Sequence, residues 1–332
     1  MKYKQIIQHQ VKSLSKKPSK FAIDSYIVVD KRFLHLNDKI DFNLFYLETP
    51  SDMSLLVQAN SLLEEVQIMR ISNIKDIYAS KLDRYKYEAF KNSHLEKILN
   101  DTTLTIDEKS KIIYESTARL TRDIFNNPTA LDNVQLSKDI VNPILKSVLQ
   151  SQDTIASYIK IITYDYYTHT HSLNVSIYAL CLGVKLGLDE KILKDLGRSA
   201  LLHDLGKSRI SHNIVNKDEK LTTQEHLLMR QHPVFGYEIA RALGIKNKNI
   251  LDGIRHHHEK LDGQGYPDSL KANAITLFPR IIGICDIFDA LTTRRSYKEA
   301  NSSYDALHTM KSTMTHKLDT KILNSFISIL HQ

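Results

Sequence analysis

Ser199-Ala200-Leu201-Leu202-His203-Asp204-Leu205-Gly206-Lys207 is the stretch on which the reading of the chain turns. It sets a histidine directly before an aspartate at the end of an apolar helical run. Helix neighbours point about 100° apart. One metal ion therefore takes both side chains only near a helix end, unless the aspartate bridges two ions with its two oxygens. A lone His-Asp pair means little. Here His171 lies upstream, and His232, His257, His258 and Asp286 lie downstream. One or two catalytic metal ions need such a stock of imidazoles and carboxylates.

Outward from this stretch the pattern is helical. Residues 173–188 and 191–205 read as apolar helices, and Gly206 suits a helix C-terminus or a tight turn. A helix starting near 221 carries Met229 and His232. Residues 250–259 bear three consecutive histidines, His256, His257 and His258, which cannot all face one point. Asp262-Gly263-Gln264-Gly265-Tyr266-Pro267 is a loop by its Gly and Pro content. Residues 277–291 form an apolar helix interrupted by Asp286 and Asp289, and residues 304–314 and 320–330 close the chain. Asp286 follows Ile281-Ile282-Gly283-Ile284-Cys285, where a charge is costly unless paired or metal-bound. Each of these residues alone has a bland alternative: a solvated or packed histidine, or a buried ion pair. Together, in this order, the bland alternative is hard to sustain.

The N-terminal part reads differently. Residues 21–30 are rich in Ile, Val and Tyr. Ile40, Phe42, Leu44 and Tyr46 alternate with Asp41, Asn43 and Phe45, a period of two. Residues 48–52 are a turn and 53–58 a further strand. Ser61 with Glu64 reads as a capping box before a helix over 62–72. Residues 76–79 are a strand and 81–99 a polar helix. Residues 105–165 are helical and connecting: the Asn126-Asn127-Pro128 step breaks one run, and Pro143 kinks or breaks a second over 134–162.

The chain has 332 residues, with 42% hydrophobic and 25% charged content. That is ordinary for a soluble globular protein of about two domains. The net charge of +7 suits an anionic ligand, though most of it belongs to solvated surface. No basic stripe with interleaved aromatics points to nucleic acid. Cys181 and Cys285 are far apart, so a reducing compartment is expected. There is no apolar run for a signal peptide or a membrane span, and the expected location is the cytoplasm. The lysines at 2, 4, 12, 16, 17 and 20 read as a solvated arm.

The ordered set of motifs resembles the HD-GYP family, a subgroup of the HD-domain metal phosphohydrolases. It comprises His171-Ser172-Leu173-Asn174-Val175, His203-Asp204-Leu205-Gly206-Lys207 and His232-Pro233. It continues through His257-His258-Glu259-Lys260-Leu261-Asp262-Gly263-Gln264-Gly265-Tyr266-Pro267 to Asp286-Ile287-Phe288-Asp289-Ala290-Leu291 with Arg295, Tyr297 and Lys298. The match runs from about residue 150 to the C-terminus. The resemblance implies a mainly α protein. An all-α catalytic domain over 151–332 would follow a small α/β regulatory domain over 1–104 and a helical connector over 105–150.

It also implies hydrolysis of cyclic di-GMP to pGpG, in some members on to GMP, by a metal-activated water at a dinuclear site. Carried over by position, His171, His203, Asp204 and Asp286 surround one metal. Asp204 bridges to a second, held by His232, His257 and His258. Lys207 offsets charge on a substrate phosphate, Arg295 and Lys298 match the family's phosphate-binding pair, and Tyr266 shapes the name-giving loop. The donor mix suits Fe or Mn, with Zn, Co and Ni also conceivable.

Implied partners are cyclic di-GMP, a GGDEF-type protein at the loop, and a second copy of the chain. Members with a third metal carry Glu four residues before the first histidine. Tyr167 stands there, so two metals are expected. Ser296 replaces a common Pro and Lys260 a common Arg. Two other readings stay open: a receptor that holds the nucleotide with negligible turnover, and a phosphohydrolase acting on nucleoside triphosphates or another cyclic dinucleotide.

Overall fold

The computed structural model describes residues 25–49, 52–164, 170–217, 219–293 and 301–330. The chain divides into two compact units, residues 1–95 and 96–332.

The first unit is built on a four-stranded antiparallel sheet in the order β1-β6-β3-β4. Its strands are β1 (Tyr26–Val29), β3 (Leu44–Thr49), β4 (Asp52–Val57) and β6 (Ile77–Ser80). The strands β2 (Lys39–Ile40) and β5 (Ser61–Leu62) pair separately. The alternating run from Ile40 is therefore shared between two ladders. Its inward positions Ile40, Phe42 and Leu44 are nevertheless all fully buried. They pack with Ile71 of α1 (Glu65–Asn73) and with Tyr87 of α2 (Arg84–Asn100), each such burial being worth roughly 1.5–3 kcal/mol.

The capping box lies three residues later than the sequence suggests. Ser61 and Leu62 are engaged in the ladder with β2. Glu64 is the N-cap of α1, and Gln67 closes the box.

The second unit is helical. It opens with α3 (Ile106–Asn126), capped by a Thr105–Glu108 box, followed by α4 (Asn133–Gln150) and α5 (Asp153–Tyr164). The expected break at Pro143 is absent: Pro143 is buried inside α4, which runs on unbroken. The chain turns instead at Ser151, whose backbone is extended. The apolar face around Pro143, with Ile140, Val141, Ile144 and Leu145, is buried where α4 packs on α3 and α7 (Glu190–Leu202). Burial of that face holds the helix through a proline that would break an exposed one.

At the centre lies α6 (His171–Lys185), buried along its length from Ser172 to Gly183. Around it pack α7, α11 (Leu277–Thr292) and α13 (Thr320–Leu330), and α10 (Lys248–His256) closes on α7 and α11. Tyr178, Phe288 and Phe326 form an edge-to-face aromatic knot between α6, α11 and α13. Met229 and His232 do not share a helix. α8 (Thr223–Met229) ends first, and His232 opens α9 (His232–Ala242) with Pro233 in its first turn. Proline is tolerated there because a first-turn N–H has no helical partner. Among the described residues, no helix is long and apolar enough to cross a membrane.

Candidate metal centre

All seven candidate ligands come together in the second unit, and most of them stand at helix ends. His203 is the C-cap of α7 and Asp204 follows it into a 3-10 turn, Leu205–Arg209. His257 is the C-cap of α10, with His258 next to it. His171 and His232 open α6 and α9. Asp286 projects from the middle of α11. A chain leaving its helix can aim two neighbouring side chains at one point, which an uninterrupted helix cannot do.

Three of the rings are set in the same way. His203 Nδ1 lies 2.7 Å from the Ala200 carbonyl, His232 Nδ1 2.7 Å from that of Met229, and His257 Nδ1 2.8 Å from that of Ile254. A carbonyl only accepts, so each Nδ1 carries the hydrogen and each Nε2 points inward as a lone pair. His232 Nε2 and His257 Nε2 are 3.2 Å apart. Two lone pairs at that distance repel unless a positive centre lies between them. Among the described residues, His203 Nε2 and Asp204 Oδ1 are buried with no hydrogen-bond partner. Buried groups without partners are rare and costly, and a cation among them would satisfy both.

Asp204 lies between two groups of nitrogens. Its Oδ2 is 3.5 Å from His171 Nε2 and 3.4 Å from His203 Nε2, while its Oδ1 is 3.3 Å from His232 Nε2. Asp286 Oδ1 is 3.2 Å from His171 Nε2, and its Oδ2 is 3.7 Å from His258 Nδ1. Two triads have metal-ligand spacing on either side of Asp204: His171, His203 and Asp286, and His232, His257 and His258.

The electrostatics suit metal binding. Burial pushes the His203 ring below its ordinary range, against the pull of Asp204 and Asp286. Burial takes His232 down to about 4, although Asp204 opposes it. Burial holds His257 and His258 well below the usual histidine range, against the pull of Asp286. These rings are neutral, the form in which they bind metal. Burial alone would raise Asp204 and Asp286. The Lys207 ammonium holds Asp204 well below the carboxylate range, and the hydrogen bond and charge of His171 do the same for Asp286. His171 is the exception. Burial works against its charge, but Asp286 and Asp289 outweigh it and raise the ring to about 9. An ion bound at His171 has to displace a proton.

Lys207 Nζ rests 2.5 Å from Asp204 Oδ2, at the more open side of the cage. Tyr266 stacks on His258 with ring centroids 4.6 Å apart. Arg295, Lys298, Ser296 and Tyr167 lie outside the described residues.

Five supporting residues were not read as site residues from the sequence. Asp289 Oδ2 takes the His171 Nδ1 hydrogen at 2.6 Å. Asn174 donates to Asp289 Oδ1 at 3.1 Å, and Tyr114 of α3 donates to Asn174 at 2.9 Å. Arg230 lies over the Tyr266 ring, 4.6 Å from its centroid. Buried Glu259 accepts the backbone N–H groups of Asp268 and Leu270, tying the loop to the end of α10. The signal for Asp289 was present in sequence: it is one turn from Asp286 in the same apolar helix.

Two glycines permit the close approach of these elements. A Cβ on Gly206 would meet the His232 carbonyl oxygen at 1.9 Å, and one on Gly283 the His257 carbonyl oxygen at 2.7 Å.

Comparison with known proteins shows the family of the second unit. The HD domain family model matches residues 146–322. The chain is 33% identical over 198 residues to a cyclic di-GMP phosphodiesterase of Pseudomonas aeruginosa, covering 60% of this chain and 47% of that protein. It is 40% identical over 119 residues to the cyclic di-GMP phosphodiesterase response regulator RpfG of Xanthomonas campestris, covering 35% of this chain and 31% of that protein. A 3'3'-cGAMP-specific phosphodiesterase of Vibrio cholerae is 33% identical over 153 residues, covering 46% of this chain and 33% of that protein. The chain thus spans less than half the length of these relatives. Among solved structures, an HDG"Y"P protein from Bdellovibrio bacteriovorus superimposes with a TM-score of 0.64 at 20% identity, covering 92% of this chain and 100% of that one. That likeness is one of fold.

Proposed function

The chain belongs to the HD domain family, and from that footing we propose that it is a metal-dependent phosphodiesterase hydrolysing cyclic di-GMP to pGpG. The observation that carries the reading is the pair of inward lone pairs on His232 and His257, 3.2 Å apart, with the Asp204 carboxylate beside them. The relatives that act on cyclic dinucleotides support the substrate class.

His171, His203 and Asp286 would hold one divalent ion and His232, His257 and His258 a second, with the Asp204 carboxylate lying between the two groups. Fe or Mn suits this mix of imidazole and carboxylate. Bound there, the ions would supply Lewis acidity toward a phosphodiester oxygen and lower the pKa of a water near neutral pH. The protein's own groups do the rest. Asp204 stays ionised and keeps the two groups of imidazoles in register. Asp289 holds the Nδ1 proton of His171 and fixes the angle of its ring. Lys207 holds its Nζ protons beside Asp204, where its charge offsets the negative charge that grows on the phosphate oxygens. Tyr266, fixed between His258 and Arg230, limits the mouth of the site and orients the nucleotide. Arg295 and Lys298 are assigned to phosphate binding on their sequence positions.

We further assign regulation to residues 1–104, connection to 105–150 and catalysis to 151–332. The buried free thiols Cys181 and Cys285 suit a reducing cytoplasm. The loop at 262–267 is the surface for a GGDEF-type partner, and dimerisation would run through the connecting helices.

The test is turnover of cyclic di-GMP, with 3'3'-cGAMP and nucleoside triphosphates alongside. The protein is purified without oxygen and reconstituted with Fe(II) or Mn(II), and products are separated by chromatography. Formation of pGpG or GMP, lost together with the metal in Asp204→Ala, is expected. Retained turnover in that variant overturns the mechanism. Bound nucleotide without product supports the receptor reading instead.

A further inference from the structure

Three side chains of the first unit meet around one carboxylate oxygen. Asp38 Oδ2 lies 2.9 Å from His94 Nε2 and 3.5 Å from His35 Nδ1. His94 is 4% exposed, whereas His35 stands at the surface. The two imidazoles are nearly parallel, with 9° between their planes and 5.4 Å between centroids. The turn carrying His35 and Asp38 is firmly held. Asp38 N–H donates to the His35 carbonyl at 3.1 Å, Asn37 N–H to that of Leu63 at 2.8 Å, and Leu63 N–H to that of Asp38 at 2.9 Å. Phe90 packs against the His94 ring with centroids 4.3 Å apart.

The hydrogen bonding of His94 shows what this arrangement is suited to hold. Its Nδ1 lies 2.9 Å from the Phe90 carbonyl, which only accepts. Nδ1 therefore carries the hydrogen, and Nε2 of the neutral ring is a lone pair facing a carboxylate oxygen. Two acceptors approach that closely only with a positive centre between them, either a second ring proton or a cation. The spacing fits a metal ion. Bonds of about 2.0–2.2 Å at angles of about 90–110° place neighbouring ligand atoms roughly 2.9–3.5 Å apart. A backbone carbonyl on the far ring nitrogen is also the usual support of a metal-binding histidine.

We propose that His35, Asp38 and His94 form a second, separate binding site for a divalent transition-metal ion in the N-terminal unit. Two imidazoles and one carboxylate suit Zn2+, Co2+ or Ni2+, whereas Mg2+ and Ca2+ take oxygen ligands almost exclusively. Because His35 is exposed, water fills the remaining positions and the ion exchanges with free metal. His94 stands on α2, the helix that begins in the first unit and ends in the second. The site thus stands on the segment through which the chain passes to its second unit. It shares no residue with the HD cage and does not depend on the proposed activity.

The test is equilibrium dialysis of the full chain against Co(II), with bound metal counted by mass spectrometry and the visible Co(II) absorption recorded. His35→Ala and His94→Gln are compared with wild type. Each variant is expected to bind one equivalent fewer and to lose one component of the spectrum, while the circular dichroism of His35→Ala stays unchanged. If buried His94→Gln misfolds, His35→Ala decides alone. Equal metal content in wild type and His35→Ala overturns the proposal and leaves Asp38 and His94 as a hydrogen-bonded pair.

Discussion

Asp289 faces no open position of the cage, yet it determines how His171 behaves. Its oxygen takes the Nδ1 hydrogen, and its charge helps raise the ring to about 9. Asp289→Asn is expected to weaken metal binding about 10- to 100-fold, read by metal titration, with turnover recovering at saturating metal. Unchanged affinity would show that the ring is fixed by packing alone. A second residue-scale expectation concerns Asp268, held down at about 2 by hydrogen bonds from Arg255 and His256. A carboxyl depressed in the folded state contributes stability above its unfolded pKa, near 4, and loses it as pH falls toward 2. The gap in melting temperature between wild type and Asp268→Asn should close between pH ~4 and ~2, and should narrow again at higher pH as His256, whose pKa Asp268 helps raise, loses its proton. A gap independent of pH would refute this. The candidate ligands were legible in sequence because a charge or imidazole in an apolar run needs a reason. Asp289 as the partner of His171 was not, since 118 positions separate the two. Arg230 had no signal, because its stacking on Tyr266 depends on how a loop returns to a helix end.

At the scale of elements, the site is assembled from helix termini drawn together by backbone contact. Gly206 is glycine because a 3-10 turn passes directly under the His232 carbonyl. The chain wall there is backbone and cannot rotate away. Gly206→Ala should cost about 3 kcal/mol, the upper end of overpacking, and lower metal content. Urea unfolding and metal analysis would check both, and a neutral result would mean the turn can shift. Sequence periodicity read the helices well, because a 3.6-residue stripe is a local property. It misplaced their ends where tertiary contacts prevailed. Ladder pairing with β2 moved the box of α1 from Ser61 to Glu64. A buried apolar face kept α4 whole across Pro143. His232-Pro233 proved to be a helix start, a feature that a Pro following a His also allows when read as a bend.

At the scale of the molecule, the two units should unfold separately. Calorimetry is expected to show two transitions, and Mn(II) should raise that of residues 96–332, by roughly 2.7 kcal/mol when free metal is 100-fold above its dissociation constant. Asp204→Ala should abolish the shift, and a single transition in the metal-free chain would show the units to be coupled. The chain divides between residues 95 and 96, inside the helix Arg84–Asn100, where the hydrophobic period does not change and the sequence shows no boundary. The meeting of His35, Asp38 and His94 was not legible either, since it needs a turn and a distant helix to be brought side by side. The shared setting of His203, His232 and His257 has a kinetic consequence. Each ring is tethered through Nδ1 to the carbonyl three positions before it, so no tautomer has to switch and no ring has to turn when an ion arrives. At these three rings the pace of filling falls to the ion, to how fast it sheds its own water, whereas His171 must also give up a proton.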